Sequence, residues 1–241
     1  MSFDLILING HVMTGSNEIP TLMDIGIKDG KIISIGKLKK ELSLKTVDCS
    51  NLVILPGVID TQVHFRDPGL THKEDIESGS KSAVMGGITA FCEMPNTKPL
   101  TISEYELNSK IKKSEKVSWC DFAFFVGATS KNISNLNIYE KLPGCAGVKI
   151  FMGSSTGELL VHDDEMLLKI MEHGSRRVAV HAEDEERLKD RFKFYNKYND
   201  ARYHPIWRDP KSALLATKRI MDIANQANRP LHILHISSAL E

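Results

Sequence analysis

The 241-residue chain sets 31 Lys plus Arg against 31 Asp plus Glu, and 41% of its residues are hydrophobic. That balance leaves no net field to draw it to nucleic acid or an acidic membrane surface, and it supplies enough apolar side chains for one large domain or a domain with a small appendage. A small-molecule ligand is the class of partner that remains.

The first fifty residues alternate short apolar runs with turn signals: Leu5 to Ile8 before Asn9-Gly10, Met23 to Ile27 before Asp29-Gly30, then Lys31 to Ile35. Asn-Gly and Asp-Gly between such runs are hairpin chemistry, because both residues tolerate positive φ. The opening stretch has no basic lead and runs straight into a turn, so it reads as a strand and not a signal peptide. Residues 1–52 are therefore expected to form a small N-terminal β-domain.

From Val53 the pattern changes. Strand-like runs at Val53–His64, Ile88–Glu93, Phe122–Gly127, Gly147–Met152, Arg177–His181 and Leu231–His235 alternate with helical periodicity at Lys73–Met85, Ile102–Ser114, Asp163–His173, Asp184–Tyr198 and Lys211–Asn228. Regular alternation predicts βαβ units on a parallel sheet. The connection Tyr198–Asp209 is long and carries proline and aromatic residues. No apolar run approaches the roughly 18 residues of a membrane helix. Cys49, Cys92, Cys120 and Cys145 form no Cys-x-x-Cys pair, which predicts reduced thiols without a catalytic or metal-binding role in a cytoplasmic protein.

Polar residues collect at the ends of these runs: Asp60, Gln62 and His64, then Pro95-Asn96-Thr97, Lys149, His181 and His235. A (β/α)8 barrel gathers such positions at its C-terminal mouth. A doubly wound open sheet would favour a glycine-rich phosphate turn after its first strand, and none is present. The α/β fold expected for residues 53–241 is therefore a TIM-type (β/α)8 barrel, incomplete at roughly six of eight strands.

Asp60, Gln62 and His64 recur at period two, so a strand turns all three to one face. His181 and His235 each end an apolar strand, where an imidazole has no packing purpose, and three such histidines at one rim point to a divalent metal. His232 is expected on the opposite face from His235, and His11, His72, His162, His173 and His204 on the surface. Lys149 lies inside an apolar strand, a costly place for an ammonium. Two outcomes fit equally well: carboxylation to a metal-bridging carbamate, or an amine that reaches the mouth or pairs with Asp60. For Arg66 the plain alternative to ligand binding is an ion pair with Asp67 or Glu74.

Asp60-x-x-x-His64-Phe65-Arg66-Asp67-Pro68-Gly69 resembles the dihydroorotase signature of the amidohydrolase superfamily. GGITAFCEMPNT (Gly86 to Thr97), the lysine strand, VHAED and LHILHISS follow in that family's order from about residue 5 onward. The resemblance implies a zinc-type divalent metal site, with one or two ions held by His64, carboxylated Lys149, His181 and His235, and with Asp60 and Gln62 as neighbours. It implies that Arg66 and Asn96 bind a substrate carboxylate, a role suited to a guanidinium fork. The implied reaction is reversible opening of dihydroorotate to N-carbamoyl-aspartate in pyrimidine synthesis, with a homodimer or a carbamoyltransferase as partner. Two features depart from the family. Gln62 stands where His-x-His is usual, and amide oxygen is a weaker metal ligand than imidazole. The catalytic aspartate and the segment that completes the β-domain as a composite sandwich are both expected beyond Glu241. The competing expectation is a catalytically inactive, C-terminally truncated remnant or structural subunit.

Overall fold

The computed structural model describes residues 2–15, 19–39, 43–153, 157–198 and 200–241. It comprises two units, Met1–Val58 and Ile59–Glu241.

In the first unit β1 (Phe3–Val12), β2 (Thr21–Lys28), β3 (Lys31–Gly36) and β4 (Ser43–Asp48) form a sheet in the order β3-β2-β1-β4, and β5 (Val53–Ile54) also pairs with β1. Asp29 and Gly30, at φ 49° and 69°, make the expected β2–β3 turn. Asn9-Gly10 does not make one. β1 runs straight through it, and the register with β2 slips between Leu7 and Gly10, with Asn9 at φ 60°. The positive-φ chemistry was read correctly but serves a bulge instead of a reversal. Phe3, Ile6 and Ile8 form the buried core of this sheet.

The run Val53–His64 is divided. Val53 and Ile54 pair with β1 beside His11 and Val12, and the next strand, β6, spans Val58–Val63. Pro56-Gly57 separates them, proline because it cannot donate to a ladder and glycine because it weakens a strand.

The second unit is an α/β half-barrel: six parallel strands in a curled sheet of order β11-β10-β9-β8-β7-β6. After β6 come α1 (Ile76–Met85), β7 (Ile88–Glu93), α2 (Glu104–Val117), β8 (Asp121–Gly127), the short α3 (Leu136–Tyr139), β9 (Cys145–Phe151), α4 (Asp164–Glu172), β10 (Val178–His181), α5 (Glu185–Tyr198), the short α6 (His204–Trp207), α7 (Pro210–Gln226) and β11 (Leu231–Ile233). Helix starts follow capping chemistry: Asp75, Ser103, Asp163 and Asp209 each accept an amide hydrogen from the first turn of α1, α2, α4 and α7. Leu167, Ile170 and Met171 of α4 and Ala216, Ile220 and Ile223 of α7 line the helix-facing core against Val148, Ile150, Val178 and Val180. Each such aliphatic side chain taken from water contributes about 1.5–3 kcal/mol. The predicted loop Tyr198–Asp209 contains a 3-10 turn at Ala201–Tyr203 and α6; Asn199 lies outside the described residues.

One irregularity decides which side chains face inward. β8 and β9 pair Phe124 with Cys145 but Phe125 with Gly147, so Ala146 is an extra residue, and Gly147 takes φ 149°. Before this bulge Cys145 packs towards the helices and Ala146 inward beside Phe125. After it Val148 and Ile150 face the helices, and Lys149 faces inward beside its register partner Ala179.

Candidate active site at the strand C-termini

His64 follows β6, Asn96 lies just past β7, Lys149 lies within the last turn of pairing of β9, His181 ends β10 and His235 follows β11. In a parallel sheet these positions share one rim. Three small constellations form there.

The first joins His64, Arg66 and Asn96. Nδ1 of His64 lies 2.9 Å from Oδ1 of Asn96, and Nη1 of Arg66 donates to the Asn96 carbonyl at 3.3 Å. Burial, then the Arg66 charge, lowers the His64 pKa to about 4, so its ring is neutral at physiological pH, the form that can donate a lone pair. Arg66 has φ 67°, a left-handed conformation costing roughly 1–2 kcal/mol for a residue with a side chain. Glu93, at the end of β7, pairs with Lys110 at 2.6 Å, both side chains almost wholly buried. Burial pushes the Glu93 pKa up and the Lys110 pKa down, and each charge opposes that shift in the other. Asp67 is occupied by Lys113 at 2.5 Å and by the Ile76 amide, so of the two carboxylates weighed as ion-pair partners for Arg66, Asp67 goes to a different cation.

Lys149 forms the second. Its side chain is 1% exposed, and among the described residues Nζ has no hydrogen-bond partner. The amine lies 4.4 Å from the ring centroid of Phe151. Burial lowers its pKa well below that of an ordinary lysine. The pairing with Asp60 is not made: Asp60 is exposed and accepts from the Gln62 amide at 3.0 Å. Lys149 is close enough to depress the pKa of both His64 and His235, which ties the constellations together.

The third joins His181 and His235, with Nδ1 of the former 3.0 Å from Nε2 of the latter. Nε2 of His181 lies 2.6 Å from Glu183, whose carboxylate is gripped by Arg208. A cavity of about 500 Å3 opens here, lined by His181, Glu183, His204, Arg208 and His235 among others.

One histidine assignment gains a further role and another is corrected. His204, expected on the surface, is exposed yet lines this cavity, because α6 folds the long connection back over the rim. His232 was expected on the face opposite His235. It pairs in register with Ala179 and so points inward like Lys149, while β11 ends at Ile233 and His235 takes φ 41°, breaking the alternation. Glu183, Arg208 and Glu93 were missed altogether. Glu183 had a signal, a carboxylate one residue removed from a strand-end histidine; Arg208 is distant in sequence and had none. Among the described residues, no three His, Cys, Asp or Glu side chains gather into a ready-made metal cage. No helix among them is long and apolar enough to cross a membrane.

Fold and rim together define a class, a (β/α)-barrel protein with its polar chemistry at the strand C-termini. The Amidohydrolase family pattern matches residues 53–239. Dihydroorotase from Pyrococcus abyssi is 35% identical over 96% of this chain and 49% of its own length, and allantoinase from Deinococcus radiodurans is 32% identical over 99% and 54%. In structure, L-hydantoinase from Arthrobacter aurescens superposes with a TM-score of 0.84 at 25% identity, covering 98% of this chain and 53% of that one. The chain belongs to the amidohydrolase family and spans about half the length of the curated relatives it matches.

Proposed function

We propose that this chain carries the metal-binding part of a cyclic-amide hydrolase of the dihydroorotase type, interconverting dihydroorotate and N-carbamoyl-L-aspartate in pyrimidine synthesis. The observation that carries this reading is Lys149, a buried amine with no hydrogen-bond partner among the described residues, set in β9 at the rim that also carries His64, His181 and His235. A neutral amine is the form that adds carbon dioxide. The resulting carbamate would supply the anionic donor that the described carboxylates do not.

The donor set fits a divalent cation such as zinc, with His64, carboxylated Lys149, His181 and His235 as the residues that would hold it. When bound, such an ion would supply Lewis acidity to the ring amide and acidify water at neutral pH. Arg66 and Asn96 would seat the substrate carboxylate beside His64, leaving the scissile amide towards Lys149. Hydrolysis joins water oxygen to the ring carbonyl carbon and breaks the carbon–nitrogen bond, with the proton passing to the departing nitrogen. The free cysteines suit a reducing cytoplasm.

The experiment is turnover of dihydroorotate, hydantoin and allantoin by the purified protein with its zinc content measured, alongside Arg66→Gln. Loss of a charge-assisted fork of about 1.5–3 kcal/mol should lower kcat/KM for dihydroorotate about 10- to 150-fold. Preference for hydantoin or allantoin would remove the assignment of Arg66. Zinc-free protein without turnover would favour the inactive, structural reading that Gln62 first raised.

A further inference from the structure

We infer that Glu183, locked by Arg208, fixes the tautomer of His181 so that Nδ1 keeps its lone pair towards His235. The inference rests on the reading of this rim as a metal site.

A neutral imidazole has one N–H and one lone pair, and which nitrogen carries the hydrogen depends on its neighbours. A carboxylate can only accept. Nε2 of His181 lies 2.6 Å from Oε2 of Glu183, so that nitrogen carries the hydrogen and donates it. Nδ1 is then the acceptor in its 3.0 Å contact with Nε2 of His235, which supplies the hydrogen between the rings. When His235 shifts to the tautomer with its hydrogen on Nδ1, two lone pairs face each other, one from each strand end.

Glu183 is itself immobilised. Arg208 donates from Nε to Oε1 at 2.9 Å and from Nη2 to Oε2, a two-point fork that sets the plane of the carboxylate. The side chains of His181 and Glu183 are 14% and 13% exposed, and that of Arg208 26%, so solvent competes only weakly for these bonds. Arg208 comes from the end of α6, so the same connection that brings His204 over the cavity also carries the residue that aims His181. Glu183 and Arg208 are thus positioning residues, acting on the reaction through His181.

The test uses ring-nitrogen NMR of 15N-histidine-labelled, metal-free protein, with His181 assigned from its Asn variant. In the wild type His181 should show a protonated Nε2 and an unprotonated Nδ1. Glu183→Ala should bring Nδ1 into partial protonation and weaken zinc binding, measured by competition with a chromophoric chelator, by about 10- to 100-fold. Glu183→Gln, whose amide oxygen still accepts, should restore most of the tautomer order. Arg208→Ala, which leaves Glu183 in place, should fall between them, and these two variants carry the test if Glu183→Ala does not fold. An unchanged Nδ1 signal and unchanged zinc affinity in the variants would overturn the inference while leaving the metal site intact. Wild-type protein that takes up no zinc would instead overturn the metal reading, and the nitrogen shifts alone would then decide the role of Glu183.

Discussion

Replacing Lys110 by methionine would leave the Glu93 carboxylate, 0% exposed, without the ammonium that lies 2.6 Å away. Removing one member of a buried pair typically costs about 3–5 kcal/mol, because the remaining charge is stranded. For a chain of this size that corresponds to a fall in Tm of roughly 6–20 °C. Trp119 and Trp207, the only tryptophans, both belong to the second unit, so tryptophan fluorescence in urea follows the half-barrel alone. The loss has a pH signature. Burial already pushes Glu93 upward, and without Lys110 its folded pKa lies further above its unfolded value. Folded protein then binds the extra proton on acidification, so the gap between variant and wild type should narrow as pH falls from neutral towards the ordinary carboxylate range. Glu93→Gln combined with Lys110→Met should recover at least half of the loss. A cost below about 1 kcal/mol, the level of a solvated surface pair, would refute the reasoning, as would a gap indifferent to acid.

Gln62→His returns an imidazole to the strand position two residues before His64 and should raise zinc content per chain, read by elemental analysis; unchanged content would show that Gln62 does not limit the site. Lys149→Met swaps an amine without a hydrogen-bond partner among the described residues for an apolar chain of similar shape, so the unfolding free energy from urea titration should hold or rise by about 1 kcal/mol while zinc uptake falls. A loss of stability above about 2 kcal/mol would reveal a partner for that amine. Asp209, whose carboxyl the Arg187 fork holds far below its usual pKa, contributes stability above the ordinary carboxylate value of about 3.9, and this is lost as pH drops further towards the folded value. Asp209→Asn should therefore cost about 1–3 kcal/mol at neutral pH and flatten the acid limb of a fluorescence pH titration. A limb as steep as that of the wild type would contradict this.

What could be read from the sequence was what period and composition control. The alternation of apolar runs with amphipathic stretches located the six parallel strands and the five longer helices, because both patterns arise from burial of one face. Histidines at strand ends, and a lysine among valine and isoleucine, marked the rim for the same reason: nothing in packing explains them. The features that were not legible depend on partners far along the chain. That Val53 and Ile54 belong with β1 is decided by His11 and Val12, and the role of Arg208 by a carboxylate 25 residues away. The face presented by His232 could not be had by counting from His235, because a positive φ at His235 ends the count. Asn9-Gly10 shows the same limit locally, since a left-handed residue serves a turn or a bulge according to which strand lies alongside.

The extra residue in β9 works as an indexing device. Counted without Ala146, the strand would present Val148 to the lumen and drive Lys149 into the aliphatic layer beneath α4 and α7. Shortening β9 by one position would thus exchange the two side chains without altering either, placing an ammonium among leucine and isoleucine and a valine at the rim. Substituting another small residue for Ala146 preserves the phase; deleting it erases the chemistry of the strand and much of its stability in a single step.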